Sequence, residues 1–203
     1  MIVIIDYHVG NLMSVQNAFL KLGMDVVVSR DHDVIRQAKG IVLPGVGTFP
    51  VAMEHLKKYD LIDILKERKE AGIPILGICL GMQILFEKGY EVTPTEGLGF
   101  LKGEVKLMDV QAKIPHMGWN ELILTQDHPL MKNIKNGDYV YFVHSYYLKA
   151  KEESIVKAST EYVTHIHASV EKDNVFACQF HPEKSGDVGL KILSNFANLD
   201  SCR

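Results

Sequence analysis

Cysteine is scarce in this chain of 203 residues: Cys79, Cys178 and Cys202 are all it has, an odd count with no Cys-x-x-Cys spacing. That pattern fits neither a disulfide framework nor a zinc site. Basic charge is not in excess either. The 22 Lys and Arg against 25 Asp and Glu leave a net charge of −3, and the lysines are scattered. A basic patch able to neutralise phosphates is therefore missing, which argues against a nucleic-acid binder. No apolar run approaches the ~18–20 residues that span a bilayer. Met1 to Asp6 carry no basic n-region or cleavage site, so the expected location is the cytoplasm. Repeats, low-complexity stretches and linkers are also lacking. At 47% apolar and 23% charged, the chain reads as an ordinary globular protein and not a disordered one. Its length suits one domain over residues 1–203, domains of ~100–200 residues being usual.

Hydrophobic patterning sets the fold class. Ile2 to Ile5 is a continuous apolar run closed by Asp6, which predicts a buried strand. Leu12, Val15, Phe19 and Leu22 repeat at helical spacing, with Gly23 as a stop. Val26–Val28, Ile41–Leu43 and Ile73–Ile78 predict further buried strands. Met53 to Ala71 predicts one or two helices with Asp60 as a cap, and Leu80 to Lys88 another helix. Alternation of this kind implies parallel strands covered by helices. After Phe100 the segments shorten: 105–108, 121–124, 139–143, 155–158, 166–170 and 175–180 predict partly antiparallel strands. A final helix is expected from about Val188 to Leu199. The expected fold is α/β, three layers α/β/α, with a mostly parallel central sheet and an antiparallel annex.

One junction carries chemistry. In Gly77-Ile78-Cys79-Leu80-Gly81-Met82-Gln83 a buried strand runs into a helix, and Cys79 has a glycine two positions away on each side. This is the cysteine counterpart of the Gly-x-Ser-x-Gly nucleophile elbow. A nucleophile on so tight a turn occupies a strained conformation, and neighbouring Cβ atoms would collide. The helix N-terminus favours thiolate over thiol and offers the Leu80 N–H to an oxyanion. A buried cysteine in a glycine-rich structural turn would have the same letters, so the reading depends on a base. Cys178, in an apolar strand pattern, reads as a small core residue, and Cys202 lies at the chain end.

A base is available about a hundred residues on. In Phe180-His181-Pro182-Glu183, proline holds the chain extended, and residues i and i+2 then point to one side. Glu183 would orient the His181 ring and stabilise the imidazolium formed when the ring takes the thiol proton. Alone, His-Pro-Glu also reads as a surface turn. Together with the elbow it defines a triad.

With those residues in hand, the chain resembles the class I (triad) glutamine amidotransferases over nearly its whole length. Further landmarks are Asp6-Tyr7 with Gly10-Asn11-Leu12, Leu43-Pro44-Gly45-Val46-Gly47, Glu96-Gly97-Leu98-Gly99, Gln179-Phe180-His181-Pro182-Glu183-Lys184-Ser185, Pro115-His116-Met117-Gly118-Trp119-Asn120 and Tyr141-Phe142-Val143-His144-Ser145-Tyr146. The last two blocks are similar to the glutaminase subunits of imidazole glycerol phosphate synthases. The resemblance implies a glutaminase of histidine biosynthesis that passes ammonia to a cyclase partner, a TIM barrel, as a heterodimer. It implies Cys79 as nucleophile, His181 as base and then acid, and Glu183 as orienter. Leu80, Val46 and Gly47 would form the oxyanion hole, and Gln83, Glu91, Ser145 and Tyr146 would hold glutamine. Asn11, His116, Met117, Trp119, Tyr141 and Lys184 would face the partner. No cofactor and no metal enter the implied reaction.

Two positions depart from the family pattern. His8 stands where the first glycine of Asp-Tyr-Gly-x-Gly-Asn is usual, in a region expected near the docking face. Tyr162-Val163-Thr164-His165-Ile166-His167 stands where the family commonly has Tyr-Gly and then phenylalanine. His165 and His167 alternate as on a strand face, but without a third ligand they read as surface histidines. Three other readings remain open: a paralogous glutaminase supplying ammonia for a bacterial surface sugar, a stand-alone thiol hydrolase, and a catalytically silent binding subunit. Intact triad positions weigh against the last.

Overall fold

A computed structural model describes residues 1–108, 111, 113–125 and 128–199; Cys202 lies outside them. The chain begins with β1 (Ile2–Ile5), α1 (Leu12–Lys21), β2 (Val26–Ser29), α2 (His32–Arg36), β3 (Gly40–Gly45), α3 (Phe49–Lys58), α4 (Leu61–Glu70), β4 (Ile75–Cys79) and α5 (Leu80–Ile84). It continues through β5 (Phe86–Gly89), β6 (Thr95–Glu96), β7 (Leu101–Leu107), β8 (His116–Glu121), β9 (Ile123–Leu124) and β10 (Tyr139–His144). The last elements are β11 (Tyr146–Ala150), β12 (Val156–Glu161), β13 (His165–Lys172), β14 (Val175–Cys178) and α6 (Gly186–Ala197).

The central sheet has the order β2-β1-β3-β4-β14-β13-β12-β9. Pairing is parallel from β2 to β14 and antiparallel from there to β9. Its strands are apolar on both faces because both are covered. Ile2, Ile4, Val42, Leu76 and Ile78 pack with Val15 and Phe19 of α1 and with Ile192, Leu193 and Phe196 of α6. Val3, Ile5, Ile41, Leu43 and Ile75 pack on the other side with Ile35 of α2, Met53 and Leu56 of α3, and Ile64 and Leu65 of α4. Alternate residues of one strand thus serve opposite layers, which explains why continuous apolar runs, not alternating ones, mark these strands. The three-layer α/β fold with a mostly parallel sheet is the expected one. The antiparallel part is more divided than expected: β13, β12 and β9 extend the central sheet, while β10-β8 and β11-β7-β5-β6 form two smaller sheets.

Local chemistry explains several boundaries. Asn11 caps α1, its side-chain oxygen accepting from the Ser14 N–H at 3.3 Å. Gly23, at φ +72°, ends that helix in the left-handed region. Asp60 precedes α4 as expected but is itself left-handed and makes no side-chain cap bond. The helix expected over residues 80–88 stops at Ile84, and Phe86–Gly89 becomes a strand. Phe86 pairs with Leu101, and Gly89 with Thr95 and Val105, so pairing with distant segments overrides the local periodicity.

Candidate active site

Three adjacent parallel strands deliver the site. β3 ends at Gly45, β4 at Cys79, and the chain leaving β14 reaches His181 within three residues. Gly45 pairs with Cys79 and Cys178 with Ile78, so the three chain ends sit side by side at the carboxyl edge of the sheet. Ligands of open α/β sheets bind at that edge.

Cys79 takes φ +54° and ψ −110°, a conformation seldom adopted by a residue with a Cβ and characteristic of strained functional turns. Glycine makes the turn possible. A Cβ on Gly81 would lie 1.6 Å from the Leu43 carbonyl oxygen, and one on Gly77 would lie 2.7 Å from the Gly81 oxygen. Behind the elbow Tyr7 is fully buried, and its hydroxyl donates to the Pro44 carbonyl at 2.5 Å. That bond fixes the start of the Gly45-Val46-Gly47 loop, where Val46 is exposed and Gly47 adopts φ +118°.

His181 and Glu183 form the expected pair, with Nδ1 and Oε1 2.8 Å apart and both side chains withdrawn from water. Burial pulls the proton affinity of His181 down. Its interactions with Cys79 and Glu183 outweigh burial and hold the ring well above the ordinary histidine range, at about 10. The other ring nitrogen, Nε2, is buried, and the side-chain interaction with Cys79 is the first of the influences that raise the ring, ahead of Glu183. The thiol donates to the Val143 carbonyl at 3.8 Å. By contrast Cys178 is fully buried, and burial pushes its thiol up to about 12; it is the inert core residue expected.

Cys79 and His181 open into a cleft of about 320 Å³ also lined by Val46, Gly47, Leu80, Gln83, Glu91, Ser145 and Tyr146. Every residue expected at the oxyanion hole or against glutamine is therefore gathered there. Glu91 is half-buried, and burial raises its carboxyl against the opposing effect of a backbone bond. That bond comes from the Phe49 N–H at 2.7 Å. Phe49 opens α3 just beyond the loop, so Glu91 pins the far end of the loop while facing the cleft.

Gln83 is buried, and its amide nitrogen serves internal partners: the Tyr146 carbonyl and the Gln179 side-chain oxygen, both at 3.1 Å. The same Tyr146 carbonyl lies 2.9 Å from His144 Nδ1. A carbonyl only accepts, so His144 carries its proton on Nδ1 and accepts at Nε2, where His116 Nδ1 lies 3.0 Å away. Burial holds both rings down to about 4, so the neutral tautomers persist at physiological pH.

His116 was expected to face a partner and does not. It is 1% exposed and stacked between Phe142 and Tyr162, at ring distances of 4.8 and 4.1 Å. Its neighbours in the two-stranded β8–β10 sheet do face outward: Met117 is 61% and Trp119 53% exposed, with Tyr141 partly covered. Asn11 and Lys184 are exposed as well. His8 is exposed and left-handed, at φ +58°, which is why glycine is at home there. Its Nε2 lies 2.9 Å from Arg30, which pairs with Asp6 at 2.5 Å. Of the two alternating histidines, His165 is on the surface beside Glu161, at 2.6 Å, but His167 is buried against expectation. Among the described residues no group of three or more His, Cys, Asp or Glu is placed to hold a metal ion.

Val143, Gln179, His144 and Pro115 stand in the family motif blocks without roles of their own; Pro115, Val143 and His144 line the cleft, and Gln179 reaches the Cys79 sulfur. Gln179 carried a signal, an amide inside the apolar run Val175–Phe180. The role of Val143 belongs to its backbone carbonyl, which no residue type announces.

A family model described as glutamine amidotransferase class-I matches residues 3–199. The chain is 55% identical over 195 residues to the imidazole glycerol phosphate synthase subunit HisH of Lactococcus lactis subsp. lactis, with 96% of each chain covered. It is 52% identical over 202 residues to the subunit of the same name from Caldanaerobacter subterraneus subsp. tengcongensis, covering 100% of each. In structure it is similar to a crystal structure of a glutamine amidotransferase, with TM-score 0.76, 19% identity, and 97% and 99% of the two chains covered. It is also similar to a chain of PurLQS from Thermotoga maritima, with TM-score 0.74, 20% identity and 97% of each covered. At those identities the two structures speak for the fold alone.

Proposed function

The chain belongs to the class I glutamine amidotransferases, and on that premise we propose that it is the glutaminase subunit of an imidazole glycerol phosphate synthase, one catalytic domain that makes ammonia for a cyclase partner. The observation that carries the chemistry is the left-handed Cys79 at a cleft shared with the buried His181–Glu183 pair. Relatives of matching length and over 50% identity carry the pathway.

Each residue then has a step. With the thiol proton held at His181 Nε2, where Cys79 and Glu183 favour the charged ring, the sulfur attacks the side-chain amide carbon of glutamine. The charge that moves onto the amide oxygen meets the Leu80 N–H and the Val46–Gly47 backbone; one such donor contributes ~10²–10³ in rate. The tetrahedral adduct collapses, the C–N bond breaks, and His181 returns its proton to the leaving nitrogen, which departs as ammonia. A thioester to Cys79 remains. Water, deprotonated by His181, attacks it through a second oxyanion; the C–S bond breaks, glutamate leaves, and the thiol is restored. Glu183 holds the ring with Nε2 facing the sulfur and balances the imidazolium. Glu91 meets the substrate ammonium, and Gln83, Ser145 and Tyr146 complete its cradle.

Trp119, the single tryptophan of the chain, is exposed with Met117 and Tyr139. An aromatic cluster left in water is what a partner interface uses as its anchor, and we place the cyclase there, with Asn11, Tyr141 and Lys184 around it. No helix among the described residues is long and apolar enough to cross a membrane, in keeping with work in the cytoplasm. The test is glutamate release by the chain alone and with an imidazole glycerol phosphate cyclase subunit. Slow release alone and a sharp rise with the cyclase are expected. Fast release indifferent to the cyclase would point to a stand-alone hydrolase.

A further inference from the structure

We propose that Gln179 is a further catalytic residue of this reaction: its side-chain amide donates an N–H to the Cys79 sulfur and stabilises the charge left there when the proton has gone to His181. The proposal rests on the assignment of Cys79 as nucleophile. Gln179 is fully buried, and its Nε2 lies 3.7 Å from Sγ, within hydrogen-bond range for sulfur.

An amide has a donor end and an acceptor end of the same shape, so the polarity of this contact is set by what anchors it. The anchor is a backbone carbonyl. Tyr146 O can only accept, so the group of Gln83 that meets it at 3.1 Å must be the NH₂ end. The same nitrogen lies 3.1 Å from the Gln179 side chain, which must therefore present its oxygen. That leaves the Gln179 NH₂ for the sulfur. Reversing Gln179 alone would set two NH₂ groups against each other; reversing both would set the Gln83 oxygen against the Tyr146 carbonyl. His144 Nδ1, 2.9 Å away, donates to the same carbonyl and holds it in place. The orientation of a buried donor beside the nucleophile is thus fixed three groups away.

The thiol has the Val143 carbonyl to donate to and the Gln179 amide to accept from. The Val143 contact favours the thiol and is lost on ionisation, whereas the Gln179 contact becomes charge-assisted; of the two it is Gln179 that favours the charged sulfur. A hydrogen bond to a charged group of this kind corresponds to about tenfold or more in the equilibrium it biases. Gln179 does not line the cleft, so the effect belongs on reaction and not on glutamine binding.

The experiment compares wild-type chain with Gln179→Leu and with Gln179→Glu, which keeps the shape and replaces the donor by a carboxylate. Cys79→Ala serves as the reference. Folding is checked by melting temperature, and two quantities are read at neutral pH. One is the rate of iodoacetamide labelling at Cys79, located by peptide mass mapping. The other is kcat and KM for glutamine in the complex with the cyclase. Both Gln179 variants should be labelled about tenfold more slowly and lose about tenfold in kcat, with KM within about threefold. Wild-type labelling and kcat in whichever variant folds, or a raised KM with unchanged kcat, would overturn the proposal. A dead Cys79→Ala beside an unaffected Gln179 variant removes Gln179 alone; an active Cys79→Ala removes the nucleophile assignment and this inference with it.

Discussion

His181 Nδ1 and Glu183 Oε1 lie 2.8 Å apart on side chains only 3% and 2% exposed. One proline between them keeps both on one side of the chain. The other carboxylate oxygen, Oε2, is buried with no hydrogen-bond partner among the described residues. Glu183 is thus devoted to the ring, and the ring in turn answers to Glu183 and Cys79, which hold its proton affinity up at about 10 against burial.

A ranking of variants follows. His181→Ala removes the group that moves protons, whereas Glu183→Gln leaves a carbonyl oxygen that can still accept from Nδ1 and removes only the charge. The glutamine variant should therefore retain more activity, on the order of 10²-fold more by analogy with other triads. Glutamate release by the two variants in complex with the partner measures it. Equal loss in folded proteins would give Glu183 a larger part than orientation.

Stability should fall on the acid side for an identifiable reason. His116 and His144 are buried, and burial lowers both to about 4. The unfolded chain binds those protons near pH 6.5 while the folded one refuses them until about 4, so stability is intact above 6.5 and drains away as pH falls through that window. Each ring accounts for on the order of 3 kcal/mol across it. His167, lowered in the same direction by burial, adds to the slope. His181 has the opposite sign: its contribution is complete below 6.5 and is lost as pH rises through about 10. Urea midpoints as a function of pH should be shallower below 6.5 in His116→Gln than in wild type. Parallel profiles would show that His116 is not held neutral.

Much of this was legible in the sequence because it is local. Runs buried on both faces mark β1, β3 and β4, and the elbow and His-Pro-Glu name their own chemistry. What was not legible depends on segments meeting. Residues 80–88 carry a helical pattern, yet Phe86–Gly89 is recruited by Leu101–Val105. His116 and His167 look like surface histidines until neighbouring elements close over them. Gln179 becomes meaningful only beside Gln83, 96 residues away in sequence.

The elbow should be intolerant of one added methyl group. Gly81→Ala places a Cβ 1.6 Å from the Leu43 backbone oxygen, and neither the strand nor the helix can retreat without disturbing β3 or β4. A loss on the order of 4 kcal/mol is expected, about 10 °C in melting temperature for a chain of this size. Calorimetry of the purified variant decides it. A melting point near wild type would mean that the turn has slack the packing does not show.

The central claim is a division of labour, in which Cys79 makes ammonia and the partner uses it. It is tested most directly by assembling Cys79→Ala with the cyclase and assaying synthesis once with glutamine and once with ammonium salt on the same preparation. The account predicts no glutamine-dependent synthesis and ammonia-dependent synthesis at the wild-type rate. Retained glutamine-dependent synthesis, or equal loss of both activities in an intact complex, would contradict it.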